Sequence, residues 1–252
     1  MVAKKERILF LDILNIVAII SVIALHMNGI VHIYSEARSW ATSLIIECFC
    51  YFAVPIFFMI SGANLLNYRE NYDTKTFFKK RFSKVLLPSV FWITVMIIWR
   101  LSLNQLEIKN ITDLFNVIFS NKEEGTYYFI WEILGVYLTL PIISKIIEDK
   151  NNNKLLWYFV IIFFIFNSLL PYLFSVINVT YNQALSLRVG GYLIFVVLGY
   201  LLLNINIKKK HRIILYILGI LCIIFRYTTT YLLSHKYGML DKSTWGIWNF
   251  IR

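Results

Sequence analysis

The chain has 252 residues, of which 59% are hydrophobic and only 15% are charged, and this composition excludes an ordinary soluble globular domain. In a soluble protein the formal net charge of +11 would suggest a nucleic-acid partner, but here most basic residues lie between long apolar runs. We therefore predict an all-α polytopic membrane protein whose surroundings are the lipid bilayer, with no nucleic acid bound.

Windows of about twenty apolar residues predict seven transmembrane helices within one domain covering residues 1–252. The predicted spans are 8–30, 40–66, 85–100, 127–147, 155–177, 189–207 and 212–234. The three cysteines all fall inside apolar segments without the spacing of zinc ligands, so the sequence predicts no metal site.

Lys and Arg residues are distributed unevenly between alternate loops. With the N-terminus in the cytoplasm, the inner segments 1–7, 67–84, 145–154 and 205–212 hold sixteen of the twenty-five Lys and Arg residues. The outer segments hold eight, and Arg226 lies within a span. Since Lys and Arg accumulate in cytoplasmic loops, we predict a multi-pass protein of the cell membrane with a cytoplasmic N-terminus.

The first predicted helix carries a row of polar residues. Asn15 and His26 are eleven residues apart, which places them on one helical face about 16 Å apart along the axis. Asp12 lies one turn before Asn15 on nearly the same face. Polar groups at membrane depth usually line a protein cavity or bind a partner. Each of the three also has a purely structural alternative: Asp12 as an interfacial helix cap, Asn15 in a hydrogen bond to a neighbouring helix, and His26 in the headgroup layer.

Ionisable residues recur near the outer ends of several predicted spans. They are His26, Glu47, Glu132, Arg188 and Arg226. A single Glu or Arg at that depth would extend to the membrane surface. Because charged side chains are costly in lipid, five ionisable residues on five different helices predict a shared polar chamber that opens to the outside.

On the predicted inner face, basic residues cluster just before the third span. They are Lys75, Lys79, Lys80, Arg81 and Lys84. Charge alone favours contact with anionic lipid headgroups. The functional alternative is a site for the phosphates of a polyanionic ligand.

Four stretches of the first 145 residues follow one another in an order that resembles the type 3 membrane acyltransferases. The first is R-x4-D-x2-N-x10-H, which runs from Arg7 through Asp12 and Asn15 to His26. The second is VPIFFMISG at 54–62, the third is KR-x2-K-x3-P at 80–88, and the fourth is a looser aromatic and proline pattern at 128–141.

This resemblance implies a membrane O-acyltransferase that uses cytoplasmic acyl-CoA, with acetyl as the expected acyl group, and no tightly bound cofactor. The acceptor would be a hydroxyl of a bacterial cell-envelope glycan or a similar molecule outside the cytoplasm. Lys80, Arg81 and Lys84 would bind the donor phosphates, and Asp12 and Asn15 would lie along its thioester arm.

His26 would be either the general base for the acceptor hydroxyl or a transient acyl carrier. Glu47 or Glu132 would orient the imidazole ring. We further infer that Arg226 or Arg188 would stabilise the oxyanion.

The sequence departs from the family pattern in two respects. Asn15 occupies the position of an arginine in similar proteins. This chain has seven predicted spans, whereas similar proteins have about ten. These departures predict a shortened, C-terminally truncated form of the fold. They also keep two alternatives open, an inactive ligand-binding relative and a proton-coupled transporter or flippase of a small polar solute.

Overall fold

The computed structural model describes residues 8–119, 128–148, 153–177, 179–187 and 191–242. Every regular element in these ranges is helical, as the apolar runs predict. The α-helices, in chain order, are α1 Leu9–Met27, α2 Arg38–Cys50, α3 Ala53–Leu65, α4 Thr74–Arg81, α5 Leu87–Ser102, α6 Ile111–Phe119, α7 Tyr128–Ile147, α8 Asn153–Phe164, α9 Leu170–Val176, α10 Leu193–Asn204 and α11 Lys209–Tyr237.

Six helical stretches of the described residues are long and apolar enough to cross a membrane. They are Leu9–Met27, Arg38–Glu70, Thr74–Ser102, Tyr128–Ile147, Asn153–Phe174 and Lys209–Tyr237. This arrangement confirms the predicted polytopic all-α class.

The predicted spans differ from the helices at two places. In place of the span at 189–207 there is α10, which has only 12 residues and is largely buried by other helices. The third span is longer than predicted, because the basic segment before it is itself helical: α4 leads through a π-helical turn, Phe82–Leu86, directly into α5. Hydropathy detects the apolar part of such a helix and misses its basic part.

The chain divides into two compact units. The first comprises Met1–Asn64 and Lys150–Arg252, and the second comprises Leu65–Asp149. In the first unit α2 packs against both α1 and α11, and α10 packs against α8.

Two glycines bring the backbones of α3 and α10 into direct contact in the first unit. A Cβ atom at Gly62 would clash with the backbone of Val196, and a Cβ atom at Gly199 would clash with the backbone of Met59. Small residues are the usual means of such close packing between membrane helices. Gly62, the glycine of the VPIFFMISG stretch, is therefore needed for the close packing of α3 against α10.

Side-chain amides connect other parts of the first unit. The amide of Asn28 donates to the carbonyl of Ser43 over 2.8 Å, and the hydroxyl of Ser43 donates back to the amide oxygen of Asn28. Asn167 pairs in the same reciprocal way with the backbone of Leu187, at 3.0 and 2.9 Å. Both pairs satisfy polar groups in an apolar environment, where each unsatisfied group is costly.

In the second unit, Asp73 determines where α4 begins. Its carboxylate accepts a hydrogen bond from the backbone N–H of Thr76 over 3.3 Å, which is a standard N-cap. Hydrogen bonding with Thr76 also lowers the pKa of Asp73. The cap keeps the basic residues of the segment on a helix that continues into α5.

Candidate functional site

A buried ion pair is the main charged feature of the first unit. Nη2 of Arg226 on α11 lies 3.7 Å from Oε1 of Glu47 on α2, and the two side chains are only 3% and 9% exposed. The guanidinium also stacks over Tyr51, 4.0 Å from the ring centroid. The pair brings together two of the five residues that the sequence suggested for catalysis, which are His26, Glu47, Glu132, Arg188 and Arg226.

The face of α11 that carries Arg226 is polar although the helix is apolar. Its buried residues are Arg226, Thr230 and Ser234, which are four residues apart and therefore form one stripe. Leu218, Leu221 and Phe225 on other faces are exposed, as expected for side chains against lipid. The helix thus directs its polar stripe towards protein.

Removing one member of the ion pair is expected to destabilise the first unit. Glu47→Gln leaves the guanidinium of Arg226 buried beside a neutral group, which typically costs about 3–5 kcal/mol of unfolding free energy. The double variant Glu47→Gln/Arg226→Met is expected to recover much of this loss. Unfolding of the protein in mixed micelles by SDS titration measures both.

The exposed ion pair of Glu107 and Lys109 provides a matched control. These side chains are 78% and 77% exposed, with 3.1 Å between Nζ and the carboxylate oxygen. Glu107→Gln is expected to change the unfolding free energy by less than about 1 kcal/mol. Equal losses for Glu47→Gln and Glu107→Gln would contradict a special role of the buried pair.

The polar row of the first helix lies on α1, and its members differ in exposure. His26, in the last turn, and Asn15 both have exposed side chains, whereas Asp12 is half-buried. The polar residues that the first unit buries in this region are Ser21 and Asn28. The imidazole of His26 is therefore not covered by other described residues.

An aromatic cluster between α2 and α11 was not anticipated from the sequence. Tyr34 shares a 2.6 Å hydrogen bond with Nδ1 of His235 and packs edge-on against Trp40, with ring centroids 4.9 Å apart. Trp40 also stacks with Tyr231, and its indole N–H donates to the carbonyl of Val31. The available signal was the spacing of Tyr231 and His235, four residues apart, which places both on one face of α11.

The basic residues of the second unit differ in their surroundings. Arg81 is half-buried, with its guanidinium 5.8 Å from the ring centroid of Tyr137 and 5.9 Å from that of Phe77. Nζ of Lys80 lies 3.6 Å from the ring centroid of Tyr72, whereas Lys84 is exposed. Aromatic packing therefore orients two of the three residues that were suggested for phosphate binding.

Arg69 is a further cation and lies within the predicted inner segment 67–84. Its Nε donates to the hydroxyl of Ser144 over 2.8 Å, and its Nη2 donates to the carbonyl of Pro141 over 3.1 Å. Glu148 lies 3.6 Å from the Arg69 guanidinium, and a hydrogen bond from Lys145 lowers the pKa of Glu148. These contacts give Arg69 a structural role at the end of α7.

The two remaining candidates are only partly described. Glu132 lies on α7 in the second unit and is half-buried. Arg188 lies outside the described residues.

Comparison with known proteins identifies a matching family model. A family model described as an acyltransferase domain matches residues 8–252, a range that includes every helix from α1 to α11. No curated protein and no solved structure matches the chain.

Proposed function

Because the chain belongs to the acyltransferase 3 family, we propose that it transfers an acyl group from acyl-CoA to a hydroxyl of a cell-envelope glycan or a similar acceptor outside the cytoplasm. The observation that carries this proposal is the family match over nearly the whole chain. Six helical stretches of the described residues are long and apolar enough to cross a membrane, which supports a reaction that takes place within or across the bilayer.

The donor phosphates are assigned to the basic residues of the second unit. A guanidinium binds phosphate oxygens through two parallel hydrogen bonds, and Arg81 has a guanidinium held in place by Tyr137 and Phe77. Lys80 and Lys84 add positive charge on either side of it. Preorganised cations lose less side-chain entropy on binding than freely rotating ones.

The chemical step is assigned to His26. As a general base, its imidazole takes the proton of the acceptor hydroxyl while the hydroxyl oxygen attacks the thioester carbonyl. The carbon–sulfur bond then breaks, and CoA leaves as a thiolate that takes up the proton. As an acyl carrier, the imidazole would attack the thioester first and pass the acyl group on. Its exposure on α1 is compatible with either role.

The ion pair with Glu47 weakens Arg226 as a donor to the oxyanion. The carboxylate already balances the guanidinium charge, so Arg226 would offer an oxyanion less electrostatic stabilisation than an isolated cation. Arg226 is therefore assigned to binding the substrate rather than to stabilising the oxyanion, and Glu47 to balancing the charge of Arg226.

The expected orientation, with the N-terminus and the α4 region in the cytoplasm, gives a topology prediction. Single cysteines at Ser35 and Lys75, both exposed, are introduced after Cys48, Cys50 and Cys222 are replaced. In intact cells an impermeant maleimide is expected to label position 35 and not position 75, because basic loops remain inside. The reverse pattern would overturn the orientation.

A second prediction concerns donor binding. Arg81→Ala and Lys84→Ala are each expected to weaken CoA binding by about 1.5–3 kcal/mol, the value of a charge-assisted hydrogen bond. Equilibrium binding of labelled CoA to the purified protein measures the change. Lys154→Ala removes an exposed cation from another predicted inner segment and is expected to have little effect. Equal affinities in all variants would assign the basic residues to lipid headgroups instead.

Release of CoA by the purified protein tests the proposed function directly. With acyl-CoA and a mixture of envelope glycans, we expect free thiol to appear together with acylated glycan detected by mass spectrometry. Binding of CoA without release of thiol would identify an inactive ligand-binding relative. Proteoliposome uptake of a small solute without CoA release would favour the transporter alternative.

A further inference from the structure

An apolar cavity adjoins the ion pair of the first unit. Its volume is about 490 Å³, and its wall is formed by α2, α3, α8, α10, α11 and the turn between α2 and α3. Cavities that bind small molecules are typically of this size and are lined by apolar side chains with a few polar groups. Of the described residues in the wall, Arg226 alone is charged.

The composition of the wall determines what the cavity can hold. Phe52, Phe164, Leu198 and Ile223 present aromatic and aliphatic surface, and an apolar chain is the ligand that gains most from such surface. The volume of about 490 Å³ is that of a site for a whole small molecule. A two-carbon acetyl group would occupy only a small part of this space.

The net charge of the Glu47–Arg226 pair determines which polar end group the ligand can carry. Glu47 balances Arg226, so a carboxylate head would add an uncompensated negative charge to a buried apolar site. A neutral carbonyl adds no charge, and its oxygen can accept hydrogen bonds from guanidinium N–H groups. An acyl thioester carries such a carbonyl at the end of its chain, whereas a free fatty acid carries a carboxylate.

From this geometry we propose that the cavity binds the acyl chain of a donor longer than acetyl-CoA, with the thioester carbonyl at Arg226. The inference rests on the proposed function, because it takes an acyl thioester as the substrate. It makes the cavity the determinant of acyl-chain length, and it departs from the acetyl group expected from the family resemblance.

Photo-crosslinking tests the proposal in the full chain, embedded in discs of phosphatidylethanolamine and phosphatidylglycerol. The probe is octanoyl-CoA with a diazirine at the end of the chain, and the labelled peptides are mapped by mass spectrometry. We expect labelling within segments 48–55 and 219–226. Unlabelled octanoyl-CoA should compete at least tenfold better than acetyl-CoA. The thioether S-octyl-CoA, which lacks the carbonyl, should compete about tenfold less well than octanoyl-CoA.

Gly219 allows the cavity to be filled without disturbing the packing. It lies in the wall, and a Cβ atom there would meet no other atom within 4 Å. Gly219→Phe is expected to reduce labelling at least tenfold. Leu218, the preceding residue, is exposed and not part of the wall, so Leu218→Phe is the matched control and should leave labelling unchanged.

Several results would overturn the assignment. Labelling spread over all helices, or unchanged in Gly219→Phe, would exclude the cavity as the chain site. Equal labelling by the free diazirine fatty acid would show that the cavity holds chains from the bilayer rather than a thioester. Competition by S-octyl-CoA equal to that by octanoyl-CoA would show that Arg226 does not bind the thioester carbonyl.

Acyl transfer measured in the same discs distinguishes the two proposals. Transfer from acetyl-CoA and octanoyl-CoA at equal rates, without labelling of the cavity, would leave the proposed function intact and refute the cavity inference. Absence of CoA release from both donors would refute the proposed function whatever the labelling shows. With both proposals correct, Gly219→Phe should lower transfer of octanoyl groups at least tenfold more than transfer of acetyl groups.

Discussion

Replacing His26 by alanine is expected to lower acyl transfer by roughly 10²–10⁴-fold, the usual loss when a positioned general base is removed. The side chain is exposed at the end of α1, so its removal leaves no cavity in the protein interior. Insertion into the membrane and the yield of purified protein should therefore stay close to those of the parent. The measurement is the rate of thiol release from acyl-CoA in the presence of acceptor.

His32 is the matched control for His26. It lies six residues later in the short 3₁₀ helix Gly29–His32 and is also exposed, but it has no place in the motif that ends at His26. His32→Ala should retain most of the activity. A His26→Ala protein that inserts normally and transfers acyl groups at the parental rate would refute the assignment of the chemistry to His26.

Replacing Gly62 by leucine is expected to prevent correct folding of the first unit. The added side chain would begin inside the backbone of α10 at Val196, and backbone atoms cannot move aside as a flexible side chain can. Separating α3 from α10 to make room would also break the reciprocal contact at Gly199 and the stacking of Phe58 on Tyr192, whose ring centroids are 4.1 Å apart. We expect little monodisperse protein by size-exclusion chromatography after detergent extraction.

Gly219→Leu provides the comparison, because the same substitution there meets open space. It should be extracted as well as the parent, and its unfolding midpoint in SDS should change little. Gly199→Leu should behave like Gly62→Leu, since both glycines serve the same contact. Normal extraction of Gly62→Leu would mean that α3 and α10 do not pack as closely as the structure shows.

The membrane-spanning helices were predictable from the sequence because the signal for each is local. An apolar run of sufficient length must form a helix in the bilayer, where its backbone groups have no other hydrogen-bond partners. The same local signal was misleading at α4, where basic residues suggested a loop although the Asp73 cap and the helix beyond it are also encoded locally. It also placed a span at α10, a helix whose apolar residues face other helices instead of lipid.

Some parts of the candidate site were likewise predictable from local sequence, and others were not. The motif from Asp12 to His26 and the basic motif from Lys80 to Lys84 are contiguous, so sequence could point to them, and their roles remain predictions. The pairing of Glu47 with Arg226 was not readable from the sequence, because the two residues lie on helices far apart in the chain. From the sequence, both residues were expected only to lie in one polar layer near the outer ends of the spans.

The sequence by itself determined that this protein is a helical membrane protein of the acyltransferase 3 family, since composition and ordered motifs carry that information along the chain. Only the tertiary structure decided which polar residues meet. Three features depend on the register between helices. They are the reciprocal hydrogen bonds of Asn28 with Ser43, the close backbone contact at Gly62 and Gly199, and the cavity beside Arg226. That register is determined by the packing of side chains from distant segments, and no local pattern specifies it.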